Sequence, residues 1–141
     1  MRGIQALIPS FRPVRYHYEV LIGDGDLYGG WMRASGFGID LRNRGGLHLN
    51  GEYIPIQSIA VEYLDPSENS SVTGSPRPGT IFYRRWRVQA RTAAGPLEYV
   101  ATHDWPPAPV ATNMTFYNHS FEGTFQGRKI RGKGYGEYLH I

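Results

Sequence analysis

The sequence contains no cysteine, and this absence removes several classes of protein at once. Without thiols there is no disulfide framework, no cysteine nucleophile and no zinc site built from thiolates. Long apolar runs are missing too. Near the N-terminus the only apolar stretch is residues 6–9, too short for the core of a secretory signal. No segment approaches the ~20 apolar residues of a membrane-spanning helix. We therefore expect a cytoplasmic protein without a membrane span.

Strong charge of one sign is also absent, because the net charge is only +3 with a pI near 9.3. Such a mild excess occurs in nucleic-acid-binding proteins and equally in many enzymes. Aromatic residues and glycine are abundant, at 13% and 18 residues respectively. That combination favours twisted β-sheets. A chain of 141 residues is long enough for one core, so we predict a single domain over residues 1–141.

Helical periodicity is missing, since no long stretch keeps apolar residues at helical spacing without a Gly or Pro break. Alternation dominates instead. In residues 14–22 the aromatic and aliphatic side chains, including Tyr16 and Tyr18, share one face, and Arg15, His17 and Glu19 share the other. We expect the tyrosine face to be the inner one. Similar segments recur between turn signals such as residues 43–46 and Asn50-Gly51. The pattern predicts an all-β fold: one antiparallel up-and-down barrel of about eight or nine strands.

Residues 65–79 interrupt this pattern, because they are polar, rich in Pro and Ser, and without periodicity. We predict a mobile loop here, and a candidate lid over one end of the barrel.

The C-terminal segment is predicted to form a hairpin. With Gly127-Arg128 as its turn, aromatic rings face a row of glycines and leave a cavity between them. The cavity walls would be Tyr117, His119, Phe121 and Tyr138. Barrel closure alone explains the glycines equally well. A slip of one residue would exchange the faces and place Glu122, Tyr135 and Glu137 inside, and the sequence leaves both arrangements open.

The same segment carries a family resemblance. Phe121-Glu122-Gly123, then Gly127, then residues 132–138 (GKGYGEY) resemble the C-terminal signature of a lipocalin-like superfamily. That superfamily includes carotenoid 1,2-hydratases (hydroxyneurosporene synthases) and natural-product Diels–Alderases. The resemblance extends loosely back to Glu62, including a strand with Tyr83 and Trp86. Many members have two barrel-like halves, whereas this chain has room for one. The resemblance implies a lipocalin-like barrel with a pocket for a long apolar ligand, and cofactor-free hydration, isomerisation or cyclisation.

Candidate site residues follow from these patterns. The candidate catalytic residues are His119, Glu122, Tyr135 and Glu137. The candidate ligand-binding residues are Tyr16, Tyr18, Trp31, Trp86, Tyr99, Tyr117, Phe121 and Tyr138. Structural interpretations compete with these roles, since aromatic side chains commonly fill cores and Glu122 could pair with Lys133 across strands. The five histidines share no metal-binding spacing, so we predict no metal and no cofactor.

Residues 84–91 suggest a different function, because Arg84, Arg85, Arg87 and Arg91 cluster there among aromatic residues. Such a strand can bind nucleic acid. Acidic residues could neutralise it, namely Glu62, Asp65, Glu68 and Glu98. Nucleic acid is therefore the less favoured partner.

Our principal hypothesis is a cofactor-independent enzyme of secondary metabolism acting on a hydrophobic, polyene-like or polyketide-like small molecule. A non-catalytic carrier or sensor with the same pocket is the first alternative, and a nucleic-acid module using Arg84 to Arg91 is the second. An ionisable group of perturbed pKa beside apolar walls would favour the enzyme. Open sheet edges would also allow a homodimer.

Overall fold

The computed structural model describes residues 15–36, 39–68, 81–104, 108–111 and 114–140. Within these ranges nearly every residue outside the short turns belongs to a strand, as the alternating sequence predicts. The strands are β1 (Arg15–Gly23), β2 (Leu27–Gly36), β3 (Ile39–Leu49), β4 (Glu52–Glu68), β5 (Ile81–Thr92), β6 (Gly95–His103), β7 (Ala108–Ala111), β8 (Met114–Phe125) and β9 (Arg128–His140).

The strands form a closed antiparallel barrel. Their order is β6-β5-β4-β3-β2-β1-β9-β8-β7, and an additional pairing of β6 with β8 closes the sheet. Eight strands make the barrel wall, and the short β7 pairs with the first residues of β8 beside it. The predicted all-β, up-and-down barrel is confirmed. In the described ranges we find no helix of the length and apolarity needed to cross a membrane.

Two of the hairpin turns have positive φ at both central residues, the requirement of a type I′ turn. Asn50 and Gly51 form one of them, with φ of 52° and 79°, as predicted. The last hairpin turns at Gln126 and Gly127, with φ of 52° and 73°, rather than at the predicted Gly127-Arg128. Its register is consequently shifted by two residues, so that His119 faces Gly134.

A shift of two residues leaves every side chain on its predicted face. Tyr117, His119 and Phe121 are therefore buried in the barrel interior, as expected. Glu122 and Tyr135 lie exposed on the outside, so the arrangement that would place them inside does not occur.

The predicted inner face of β1 is wrong. Tyr16 and Tyr18 are half-buried on the outside, and His17 and Glu19 are buried inside. The cause lies in the turn that follows. Asp24, Gly25 and Asp26 separate β1 from β2, so Glu19 lies directly opposite the buried Trp31. Residues directly opposite each other in an antiparallel pair share a face.

The predicted turn at residues 43–46 is also wrong, because β3 continues through them. Gly45 and Gly46 act as strand residues at places of close approach. A Cβ on Gly45 would lie 2.5 Å from the Gly30 carbonyl oxygen and 2.7 Å from the Trp31 Cβ. Gly45 lies directly opposite Trp31, and the absence of a side chain there leaves room for the Trp31 side chain.

The loop predicted over residues 65–79 begins later than expected. Residues 65–68 belong to β4, where Pro66 pairs with Tyr83 of β5. Residues 69–79 lie outside the described residues, so the lid stays a prediction.

The barrel interior is divided along its axis into an apolar half and a polar half. The apolar half lies at the end where β1 turns into β2, and it contains Leu21, Leu27, Leu47, Leu97 and Phe125. The other half brings histidine, tyrosine, tryptophan and glutamate side chains together. This polar half is unusual for a core, since buried polar groups need partners.

Gly134 provides a test of how closely β9 approaches β1. A Cβ at this position would overlap the Val20 carbonyl oxygen and lie 2.9 Å from His119 Nε2. We expect Gly134→Ala to destabilise the barrel by about 2–3 kcal/mol, because overpacking next to paired backbone cannot relax easily. The melting temperature followed by circular dichroism should fall by roughly 5–10 °C. The neighbouring exposed Lys133→Ala is the control, and equal melting of the two variants would contradict this packing.

Candidate active site

Glu19 is the centre of the polar half. It lies near the middle of β1 between His17 and Leu21, and its relative exposure is 1%. The barrel wall around it is aromatic, with Trp31 on β2 directly opposite and Trp86 from β5 also buried. A carboxyl group in such surroundings has lost its water and depends on the protein for hydrogen bonds.

Two phenols supply those hydrogen bonds. The Tyr99 hydroxyl donates to Glu19 Oε1 at 2.5 Å, and the Tyr117 hydroxyl donates to Glu19 Oε2 at 3.1 Å. Trp31 Nε1 donates in turn to the Tyr99 oxygen at 2.6 Å. Two donors therefore point at the carboxyl group and Trp31 supports one of them, an arrangement that also suits a carboxylate.

Burial raises the pKa of the Glu19 carboxyl to about 8, although the hydrogen bonds from Tyr99 and Tyr117 act in the opposite direction. Burial also raises the pKa of both tyrosines well above the ordinary value, and the nearby carboxylate adds to that effect. Glu19 is thus mostly a neutral acid at pH 7, whose conjugate base would meet two fixed donors.

His17 extends this network toward the other end of the barrel. Its Nε2 hydrogen-bonds the Tyr117 hydroxyl, and its Nδ1 lies 2.8 Å from the Tyr63 hydroxyl. Since Tyr117 gives its proton to Glu19, His17 Nε2–H donates to the Tyr117 oxygen and Nδ1 accepts from Tyr63. Tyr63 is half-buried, so the chain of hydrogen bonds runs from the buried acid to a partly exposed hydroxyl.

His119 also lies close to the carboxyl group, with Nε2 3.5 Å from Glu19 Oε2. Burial lowers the pKa of His119 to about 4 and that of His103 to about 3. Burial also lowers the pKa of His17 well below 6.5. These imidazoles are consequently neutral at pH 7, and a neutral imidazole can accept a proton.

The structure brings several predicted site residues around this acid and leaves others outside. Those in the barrel interior are His119, Trp31, Trp86, Tyr99, Tyr117 and Phe121, and Tyr138 is half-buried with its ring centroid 5.3 Å from that of His17. Those on the outer surface are Tyr16, Tyr18, Glu122, Tyr135 and Glu137. The residues that the sequence analysis missed are His17, Glu19, Tyr63 and His103.

Two of the arginines of β5, Arg85 and Arg87, pair with carboxylates on the outside of the barrel. Arg85 pairs with Asp65, and Arg87 lies 3.0 Å from Glu62 and 4.0 Å from Glu98. Three of the four acidic residues that were expected to balance the arginines therefore do so, namely Asp65, Glu62 and Glu98. The Glu68 side chain lies outside the described part of the structure.

Comparisons with known proteins support the fold. No protein-family model matches the chain, and no curated protein sequence matches it significantly. Among solved structures, kievitone hydratase from Nectria haematococca is similar, with a TM-score of 0.69 and 10% identity over 91% of this chain. The chain spans 40% of the length of that protein. At this identity the likeness shows the fold, and it agrees with the lipocalin-like barrel that the C-terminal motif implies.

Among the residues that the structure describes, no group of three or more His, Asp and Glu side chains is arranged to hold a metal ion.

The buried acid predicts an unusual dependence of stability on pH. The Glu19 carboxyl titrates near 4.5 in the unfolded chain and near 8 in the folded protein. Between these values the folded state binds more protons, so the free energy of unfolding falls as pH rises. Glu19→Gln removes this effect. We expect the variant to be more stable than the parent at about pH 9, by an amount on the order of 4 kcal/mol, and no more stable at about pH 5.

Thermal melts of both proteins across this pH range would measure the difference. The lowered histidine pKa values reduce stability at acidic pH in parent and variant alike, so their effect largely cancels. Glu98→Gln, which removes an exposed carboxyl on β6, is the control and should leave the pH dependence unchanged. A parent and a Glu19→Gln variant with parallel pH curves would contradict the raised pKa.

Proposed function

We propose that this barrel is a cofactor-independent acid–base enzyme that acts on a hydrophobic small molecule, with Glu19 as its proton donor. The observation that carries the proposal is the buried Glu19 carboxyl, held neutral by its surroundings while Tyr99 and Tyr117 are aimed at its two oxygens. A carboxylic acid with a pKa near the operating pH is well suited to general acid catalysis.

Hydration of a carbon–carbon double bond is the reaction that best fits this set of groups. Glu19 transfers its proton to one alkene carbon, and the oxygen of a water molecule bonds to the other. Neutral His119 takes the proton released by that water. His119 Nε2 is 3.5 Å from Glu19 Oε2, so the proton can return to the carboxylate and restore both groups. The net change is addition of one water to the substrate.

The tyrosines stabilise the charged form of the acid. When Glu19 loses its proton, Tyr99 and Tyr117 donate to a carboxylate rather than to a neutral acid, and hydrogen bonds to charged groups are stronger. These donors are already in place before the reaction, so little reorganisation is needed as charge develops. The same residues can catalyse an isomerisation, in which one carbon of the substrate gains a proton and another carbon loses one.

The direction of substrate entry follows from the burial gradient. Tyr63, Tyr138 and His103 are half-buried at the polar end, whereas the opposite end is filled by leucines and Phe125. The substrate therefore approaches Glu19 from the tyrosine end, between aromatic walls that include Trp86.

A specific observation favours an enzyme over a carrier. A carrier of apolar molecules needs an apolar pocket, and a buried ionisable group is a cost without a benefit there. A protein of known structure with a similar fold is a hydratase, and its name assigns it kievitone as substrate. Kievitone is accordingly a sensible first probe, followed by polyenes.

The experiment that tests this proposal is incubation of the purified protein with kievitone, and then with a polyene, in ¹⁸O-labelled water. We expect a product that gains one labelled water, detected by mass spectrometry. Glu19→Gln should lower the rate by about 10²–10⁴-fold, because the amide cannot donate a proton in place of the acid. Glu98→Gln, the exposed control, should keep the parental rate.

Glu122→Gln distinguishes the buried acid from the exposed carboxyl that the C-terminal motif singles out. Loss of activity in Glu122→Gln together with retained activity in Glu19→Gln would overturn the proposal. Tight binding of the probes without any turnover, unchanged by Glu19→Gln, would instead identify a carrier.

A further inference from the structure

A chain of hydrogen bonds leads from the buried Glu19 carboxyl to a half-buried side chain at the polar end of the barrel. Glu19 Oε2 accepts from the Tyr117 hydroxyl at 3.1 Å, and the Tyr117 oxygen is hydrogen-bonded to His17 Nε2. His17 Nδ1 lies 2.8 Å from the Tyr63 hydroxyl. Relative exposures are 1% for Glu19, 5% for Tyr117 and 4% for His17, whereas Tyr63 is half-buried. Tyr63 is therefore the member of the chain at which contact with solvent begins.

Each link of this chain can pass a proton, because a hydroxyl and a neutral imidazole both carry a donor and an acceptor. When the Tyr63 oxygen receives a proton from solvent, the Tyr63 hydroxyl gives its own proton to His17 Nδ1. The Nε2 proton of His17 then moves to the Tyr117 oxygen, and the Tyr117 proton moves to Glu19 Oε2. The three linking groups end with as many protons as they began with, and the carboxylate gains one. The reverse sequence releases a proton and restores the original tautomer of His17.

His17 is suited to pass a proton on rather than to keep it. Burial lowers the pKa of His17 well below 6.5, and His103, His119 and Arg33 act in the same direction. The other titratable side chains whose rings contact His17 are Tyr63, Tyr117 and Tyr138. Apart from Glu19 itself, this set contains no carboxyl group that would stabilise a charged imidazole.

The other groups around the carboxyl do not continue toward solvent. Tyr99 donates to Glu19 Oε1, but the next group is Trp31 Nε1, and an indole has a donor without an acceptor. His119 Nε2 lies 3.5 Å from Glu19 Oε2, and in the described part of the structure no hydrogen bond to a further side chain leads on from its ring. Among the described residues the continuous chain is the one through His17.

We propose that Tyr117, His17 and Tyr63 form the path through which Glu19 exchanges its proton with solvent, with His17 as the central relay. A carboxyl group that is 1% exposed would otherwise need water to enter the barrel. The catalytic meaning of the path rests on the proposed function. His119 returns a proton to Glu19 within a turnover, and the path restores the acid in molecules whose Glu19 is ionised before substrate binds.

The rate of this exchange can be measured by NMR on the full chain labelled with ¹³C at glutamate, at the midpoint of the Glu19 titration and at fixed buffer concentration. We expect the parent to show one averaged Glu19 signal. In His17→Gln the side-chain amide can still donate to Tyr117 and accept from Tyr63, but it cannot relay a proton. Exchange should therefore slow by about 10²-fold or more, until protonated and ionised Glu19 give separate signals. Tyr63→Phe removes the outer end of the path and should also slow exchange.

Tyr99→Phe is the matched control, because it also removes a phenol from the carboxyl group but leaves the path intact. Its Glu19 signal should stay averaged at its own midpoint, and circular dichroism establishes that each variant is folded. The measurement uses no substrate, so the path and the proposed hydration fail independently of each other. Exchange as fast in His17→Gln and Tyr63→Phe as in the parent would overturn the inference. An equal slowing in Tyr99→Phe, or separate signals in the parent, would overturn it too.

Discussion

Burial of the Glu19 carboxyl is the constraint on which the polar half of the barrel depends. A carboxylate without water costs several kcal/mol, so the group must be protonated, hydrogen-bonded, or both. Glu19 is both, because desolvation raises its pKa while Tyr99 and Tyr117 occupy its two oxygens. The positions of the tyrosines depend in turn on Trp31 and His17, which hydrogen-bond their hydroxyls. Removing Tyr99, for example, takes the donor from Glu19 Oε1 and the acceptor from Trp31 Nε1.

A barrel of this size could be filled by apolar side chains alone, as its other half is. Replacing buried ionisable groups by apolar residues of similar volume is often neutral or stabilising. The polar half therefore has a cost in stability that packing does not require, and sites of this kind commonly serve chemistry. The neutral histidines around Glu19 strengthen this interpretation, since an acid and several unprotonated bases lie together in the barrel interior.

The sequence predicts the fold better than the site, for reasons that individual residues illustrate. Alternation identifies strands, and Asn50-Gly51 identifies a hairpin, because both signals are local. Which face of β1 is buried depends on the length of the next turn, and the three turn residues Asp24 to Asp26 bring Glu19 opposite Trp31. The sequence analysis places Trp31 among the residues of the pocket. Its position opposite Glu19 was therefore the signal that could have identified Glu19 as buried. Tyr99 and Tyr117 were predicted to line the interior, but their shared partner is distant in sequence, and tertiary structure alone shows it.

The most direct test of this account is titration of the Glu19 carboxyl carbon by NMR in protein labelled with ¹³C at glutamate, with Glu19→Gln used to assign the signal. The account predicts a midpoint near pH 8. It also predicts that Tyr99→Phe moves the midpoint higher, because the charged form loses a donor. A midpoint near the ordinary value of 4.5 would show an ionised group at neutral pH and would contradict the central role of Glu19 as a buried acid.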